Sequence, residues 1–202
     1  MTKKITRKEI IARAKKIKLL LTDVDGVLTD GNMYFVENQK SNLIEIKGFH
    51  AQDGIGLRLL HQFNIKTGMI TGRISPAAQN RAGTLRMKYV YQGFLEKLAP
   101  FKDILKKSGL KPHEVAFIGD DLTDVPVLKN AGLAFATHNA VKEVKDIAHF
   151  VTKKKGGEGA VREICDFLLK AQGRWKQILK NVCNSSWDKI PKEKVIVVNV
   201  KK

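Results

Sequence analysis

Leu19-Leu20-Leu21-Thr22-Asp23-Val24-Asp25-Gly26-Val27-Leu28-Thr29 is the stretch that decides the fold. The apolar run from Ile17 to Leu21 lacks polar alternation, which is how a strand buried on both faces reads. It ends in an acidic, glycine-containing turn. Beyond it, strand and helix patterns alternate. Strands are expected at Ile65–Ile70, Lys88–Tyr91, Val115–Ile118, Leu133–Ala136 and His149–Val151. Helices are expected at 53–63, after Ser75-Pro76 (Ser as N-cap, Pro at the first helical position), and at Lys97–Lys107 before Gly109. Further helices follow at Thr123–Asn130, Val141–Asp146 and 160–171. This alternation predicts an α/β fold: an open, doubly wound (Rossmann-like) parallel sheet covered by helices on both faces.

Three segments stand apart from that alternation. Residues 1–18 read as a basic amphipathic helix with Ile5, Ile10, Ala14 and Ile17 on one stripe. Within 31–47, Met33–Phe35 and Leu43–Ile46 flank a polar turn and read as a β-hairpin. Residues 173–202 form a basic C-terminal extension on a main domain of 1–172. In it Arg174–Val182 continues the preceding helix, while Val195–Val200 either pairs with a sheet edge or stays disordered.

Composition narrows the function classes. Residues 1–18 hold eight Lys/Arg against one Glu, and 170–202 hold nine against two acids, so most of the +17 net charge sits in the two ends. Basic ends attract anions nonspecifically but do not make a groove. With no interleaved aromatics for base stacking, nucleic acid is not an expected partner. No apolar run approaches the ~18 residues of a membrane span, and no apolar leader follows the basic N-terminus. Cys165 and Cys183 read as reduced thiols of a cytoplasmic protein.

Four polar clusters lie where strands end: Asp23 and Asp25; Thr71-Gly72-Arg73; Gln92-Gly93 with Lys97; and Gly119-Asp120-Asp121 with Asp124. Open α/β sheets bind ligands outside the carboxyl ends of their strands. Alone, each cluster has an ordinary reading: a turn, a helix entry, a solvated lysine, an acidic helix start. Together, in order and at successive strand ends, they converge on one crevice. Crowded carboxylates need a cation, and all-oxygen donors without His or Cys favour Mg2+ over zinc. A screened carboxylate can attack phosphorus covalently, while Thr71 and Lys97 meet the phosphoryl oxygens. The second carboxylate serves as general acid, then as base. A P-loop motif and a dinucleotide-binding glycine motif are both missing. In a response-regulator receiver the acceptor Asp follows a middle strand rather than the first.

Asp23 through Thr29 and the three later clusters resemble the haloacid dehalogenase superfamily of phosphotransferases. The resemblance implies Asp23 as nucleophile and Asp25 as acid/base, with Thr71 and Lys97 on the phosphoryl group. It also implies Asp23, the Asp25 carbonyl and Asp120 as Mg2+ ligands, with Asp121 and Asp124 orienting waters and Lys97. The short spans between clusters leave no room for a cap domain. Asp23–Gly31, Asp53-Gly54, Thr71-Gly72-Arg73, Tyr91-Gln92-Gly93, Gly119–Asp121 and Gly156–Glu163 are similar to the capless 3-deoxy-D-manno-octulosonate 8-phosphate phosphatases. That likeness covers roughly residues 8–172 and leaves out the C-terminal extension. It implies a homotetramer assembled through the hairpins, closing each open site, and a sugar-acid phosphate as substrate. Arg73 is the candidate for the sugar carboxylate, with Gly72, Arg81, His50 and Asp53 at the sugar or a subunit contact. A sialic-acid-type 9-phosphate is the alternative substrate. A non-catalytic assembly module would be expected to have lost part of this acid set.

Overall fold

The structure is a computed structural model that describes residues 5–184 and 194–200. Helix α1 (Arg7–Ala14) leads to β1 (Leu19–Thr22), and β2 (Tyr34–Glu37) and β3 (Leu43–Ile46) follow. Then come α2 (Ala51–Gln62), β4 (Lys66–Thr71), α3 (Pro76–Thr84), β5 (Tyr89–Gln92) and α4 (Leu98–Ser108). The chain continues through β6 (Val115–Gly119), α5 (Val125–Asn130), β7 (Leu133–Ala136), α6 (Lys142–Ile147) and β8 (Phe150–Val151). It closes with α7 (Ala160–Ala171), α8 (Trp175–Cys183) and β9 (Ile196–Asn199).

Seven strands form one sheet in the order β8-β7-β6-β1-β4-β5-β9, and every pairing in it is parallel. Alternate strand residues feed two cores. Leu20, Met69, Val90, Ala116, Ile118 and Phe135 pack beneath α1, α2, α3, α7 and α8. Leu19, Leu21, Ile70, Tyr89, Tyr91 and Phe117 pack beneath α4, α5 and α6. This is the doubly wound layering expected from the unbroken apolar runs. From β1 the order runs to β4 and β5 on one side and to β6, β7 and β8 on the other. The crevice therefore opens at β1, where the winding reverses.

Only the β2–β3 hairpin and α2 separate β1 from β4, so no domain is inserted there. The hairpin forms its own antiparallel pair, Tyr34 opposite Ile46 and Glu37 opposite Leu43. It stands off the body with Tyr34, Phe35, Leu43, Ile44 and Ile46 exposed. Among the described residues no helix is long and apolar enough to cross a membrane.

Both termini differ from the sequence expectation. The first helix is shorter than 1–18: Thr6 and Glu9 form a capping box at its start. It ends by Lys15, because Lys18 must already donate its amide to Glu114 at the mouth of β1. Ile17 is buried beyond the helix, and residues 1–4 lie outside the described set. Arg174–Val182 does not prolong α7. Gly173 adopts φ +73° and starts a separate helix, α8, whose Ile178 enters the core. Val195–Val200 resolves as β9, paired to β5 with Tyr89 opposite Ile196 and Gln92 opposite Asn199. The extension is thus built into the sheet that carries the site.

Candidate active site

The turn after β1 is shaped by close contacts that only glycine permits. Val27, Leu28 and Thr29 donate their amides to the Val24 carbonyl, folding the chain back on itself. Gly26 sits at φ +86°, and a Cβ there would lie 2.0 Å from Asp120 Oδ2. Asn139 Nδ2 donates to the Gly26 carbonyl at 2.9 Å, and Asn139 Oδ1 accepts from Gly156 at 2.7 Å. The Asp-Val-Asp-Gly segment is therefore locked against the loops after β6 and β7.

Parallel register aligns the strand ends. Thr22 lies opposite both Met69 and Ile118, so β4 runs on to Thr71 and β6 to Gly119 on the same edge. The Asp23 amide donates to the Ile118 carbonyl at 3.0 Å, fixing the first acid over the sheet. Lys97, at the start of α4, is buried with its ammonium 2.9 Å from Asp23 Oδ1 and 2.7 Å from Asp124 Oδ1. Asp124, fully buried, also accepts at Oδ2 from the Asp120 amide (2.9 Å) and the Asp121 amide (3.2 Å). Both Asp124 oxygens are thereby engaged. Thr71 is buried at the end of β4, its Oγ1 accepting from the Arg73 amide at 3.3 Å. Asp121 is exposed and caps the short turn Leu122–Asp124, accepting from the Leu122 amide at 2.7 Å.

The electrostatics are those of an acid cluster short of positive charge. Burial, then the neighbouring Asp23 and Asp124, push the Asp120 carboxyl up to about 8. Asp23 is raised by burial, Lys97 opposing. Burial would lower the Lys97 ammonium, but Asp23 and Asp124 outweigh it and the net shift is upward. Carboxylate oxygens of Asp23, Asp120 and Asp124 all lie within 4.8 Å of one another. Among the described residues, Asp120 Oδ1 is buried without a hydrogen-bond partner. A hard divalent cation fits this arrangement: Asp23 and Asp120 offer oxygens to it, whereas those of Asp124 are taken.

Asp25 sits beside this cluster, joined to residues that sequence reasoning missed. Lys47, just past β3, places its ammonium on Asp25 Oδ1 and 3.5 Å from Glu45 Oε1. Arg73 is half-exposed, with Nε 3.8 Å from Asp25 Oδ2 and its guanidinium paired to Glu45. The signal was available. Glu45 in β3 and Lys47 just past it are the two charges in the apolar run from Leu43 and stand two apart, so they share a face. Gly72 makes room for Leu95, whose Cδ2 would lie 2.7 Å from a Cβ there.

The remaining candidates gather elsewhere on the chain. Arg81 stacks over Phe49, 5.7 Å from the ring centre, and lines a cavity of about 230 Å³ with Gly54, Arg58 and Arg86. His50 is the N-cap residue of α2. Asp53 corrects the sequence reading. Its side chain is covered (2% exposed), and Oδ1 accepts the Arg162 amide at 2.7 Å, tying α2 to α7. It is an anchor between helices and offers no surface to a sugar. Burial raises its carboxyl to about 6, against the pull of that amide and of His50, Arg81 and Arg162. A carboxyl raised in the folded state stabilises least when ionised, so its cost appears as pH rises from about 4 through 6. Asp53→Asn keeps the Oδ1 acceptor, and we expect it to be more stable than the parent by about 1–2 kcal/mol at pH 8. At pH 4 the advantage should vanish; urea denaturation at the two pH values checks this.

A family profile described as haloacid dehalogenase-like hydrolase matches residues 58–164. The 3-deoxy-D-manno-octulosonate 8-phosphate phosphatase KdsC of Escherichia coli K12 is 43% identical over 166 residues, covering 82% of this chain and 86% of that one. The chain belongs to the haloacid dehalogenase-like hydrolase family. Crystal structures of relatives share this hydrolase fold. The 3-deoxy-D-manno-octulosonate 8-phosphate phosphatase of Yersinia pestis superposes with a TM-score of 0.78 at 41% identity, covering 83% of this chain and 89% of that one. The Moraxella catarrhalis phosphatase of the same name, in complex with magnesium ion, phosphate ion and KDO, gives 0.82 at 37% identity. That match spans 88% of this chain and 99% of the other.

Proposed function

We propose that this hydrolase is a magnesium-dependent phosphatase that converts 3-deoxy-D-manno-octulosonate 8-phosphate to the free sugar acid and phosphate. The observation that carries the chemistry is Asp23, held over the sheet and 2.9 Å from the buried Lys97 ammonium, beside the buried Asp120 Oδ1, which has no partner among the described residues. The named relatives supply the substrate class.

Asp23 attacks phosphorus, forming an aspartyl phosphate as the bond to the sugar oxygen breaks. Asp25 gives that oxygen its proton from Oδ2, the oxygen that Lys47 leaves free. It then takes a proton from the water that cleaves the aspartyl phosphate and releases inorganic phosphate. Lys97 and Thr71 hold the phosphoryl oxygens in place while charge spreads over them. Asp23, the Asp25 carbonyl and Asp120 would hold Mg2+, which would supply the positive charge that lets an anionic carboxylate meet an anionic phosphate. Arg73 receives the sugar carboxylate, and Gly72 beside it lets Leu95 pack against the entry. Arg81 and His50 serve the sugar or a contact with a neighbouring subunit.

The exposed apolar hairpin supports a homotetramer that covers these open sites, and the free thiols of Cys165 and Cys183 suit a cytoplasmic enzyme. Light scattering reads the assembly. The activity is tested by phosphate release, with Mg2+, from the eight-carbon sugar-acid phosphate, a nine-carbon sialic-acid-type 9-phosphate and a sugar phosphate without a carboxylate. The highest kcat/KM is expected on the first. Equal rates on all three would remove the sugar acid from the reading, and preference for the second would replace it.

A further inference from the structure

The hairpin reaches the crevice through one buried cation. Leu43, Ile44 and Ile46 are exposed, yet the Lys47 side chain is only 2% exposed. An ammonium loses its hydration on burial and persists only with close anionic partners. Lys47 has two, Asp25 Oδ1 and Glu45 Oε1. Glu45 is itself secured, its Oε1 accepting from Ser75 Oγ at 2.8 Å and its other oxygen meeting Arg73. Ser75 is buried as the N-cap of α3, and its amide donates to Gln92 Oε1 at 3.0 Å. A continuous polar frame thus runs from β5 through α3 and β3 to Asp25. A hairpin with an apolar surface gains little stability from such a buried pair. What the pair fixes is Asp25: Oδ1 is held, and Oδ2 is left on the Arg73 side, 3.8 Å from Nε.

We propose that Lys47 is a positioning residue for Asp25, holding Oδ1 so that Oδ2 alone delivers and receives the proton of the reaction. The proposal rests on the reading of Asp25 as general acid and base. It makes the β2–β3 hairpin part of the catalytic apparatus and gives the side chain just past it a chemical task.

Proton delivery matters in proportion to the leaving group's need for it. A sugar alcohol leaves poorly as an alkoxide, whereas 4-nitrophenolate leaves without a proton. Because kcat/KM reports the steps up to loss of the alcohol, a displaced Asp25 slows the sugar phosphate and spares 4-nitrophenyl phosphate. Damage to folding, Mg2+ binding or phosphate binding would slow both alike.

The test compares Lys47→Met, Lys47→Arg and Asp25→Asn in the full chain with Mg2+, on the sugar-acid phosphate and on 4-nitrophenyl phosphate, alongside thermal melting. Lys47→Met is expected to lose about 10- to 100-fold in kcat/KM on the sugar phosphate and less than about threefold on the aryl ester. Lys47→Arg should restore most of the loss, and Asp25→Asn should show the same asymmetry more strongly. If Lys47→Met does not fold, Lys47→Gln, which keeps a donor, decides the comparison. Equal losses on both esters, or no loss on either, overturn the proposal while the asymmetry of Asp25→Asn keeps Asp25 in its role. Should Asp25→Asn show no asymmetry, the acid/base reading falls and the proposal with it. If the parent hydrolyses a different alkyl phosphate better, only the substrate assignment changes and the comparison is run on that ester.

Discussion

Asp23→Asn is expected to abolish phosphate release, by at least about three orders of magnitude, in a protein that remains folded and no less stable than the parent. The amide keeps the size and shape of the carboxyl but cannot form an aspartyl phosphate. Its effect on stability follows from the surroundings. Asp23 is buried, and burial together with nearby Asp124 works against its ionised form while Lys97 favours it. Removing the charge therefore relieves a repulsion, and Lys97 retains Asp124 at 2.7 Å. Such a trade, activity held at a cost in stability, is common where function needs crowded like charges. Phosphate release and thermal melting, both without and with Mg2+, decide it. Turnover by the variant would exclude a covalent step on Asp23. A fall in melting temperature without Mg2+ would make the residue structural.

The parts of this fold that sequence could announce are those governed by local pattern. Leu19–Leu21 lacks polar alternation because helices cover both sides of β1, and Ser75-Pro76 marks the start of α3 because capping is local. The four strand-end clusters followed from the rule that parallel strands bring their carboxyl ends to one edge. Lys97 was placed by order along the chain. That it is buried between Asp23 and Asp124 is a matter of packing that spacing does not encode. Asp53 misled for the same reason. Acids are exposed by default, and nothing local shows that α7 presents the Arg162 amide to it. β9 depends on pairing with β5, more than 100 residues earlier, so its apolar run was compatible with either outcome. The spacing of Glu45 and Lys47 puts them on one face, but in a hairpin largely in solvent nothing local shows that this face turns toward Asp25.

The acid cluster makes a second large prediction, this time about the cation. Asp120 has a buried oxygen with no donor among the described residues, and its carboxyl is raised by burial and by Asp23 and Asp124. Without a cation, three carboxylates with oxygens within 4.8 Å are offset, among the described residues, by the paired Lys97 ammonium. Chelation should therefore abolish turnover, and Mg2+ at about a hundred times its dissociation constant should stabilise the fold by about 2.7 kcal/mol. For a chain of this length that corresponds to a rise in melting temperature of roughly 5–10 °C. Asp120→Asn separates the two contributions. It keeps one acceptor and removes the repulsion, so in chelator it should melt above the parent by at least about 1 kcal/mol equivalent. It should also lose most of the Mg2+-dependent rise and nearly all activity. Melting curves of both proteins, with Mg2+ and with chelator, give four values whose order is fixed in advance: parent in chelator lowest, parent with Mg2+ raised, and the two Asn curves close together. If the variant responds to Mg2+ as the parent does, Asp120 is not a ligand. In that case its raised carboxyl would reflect burial and like charge alone.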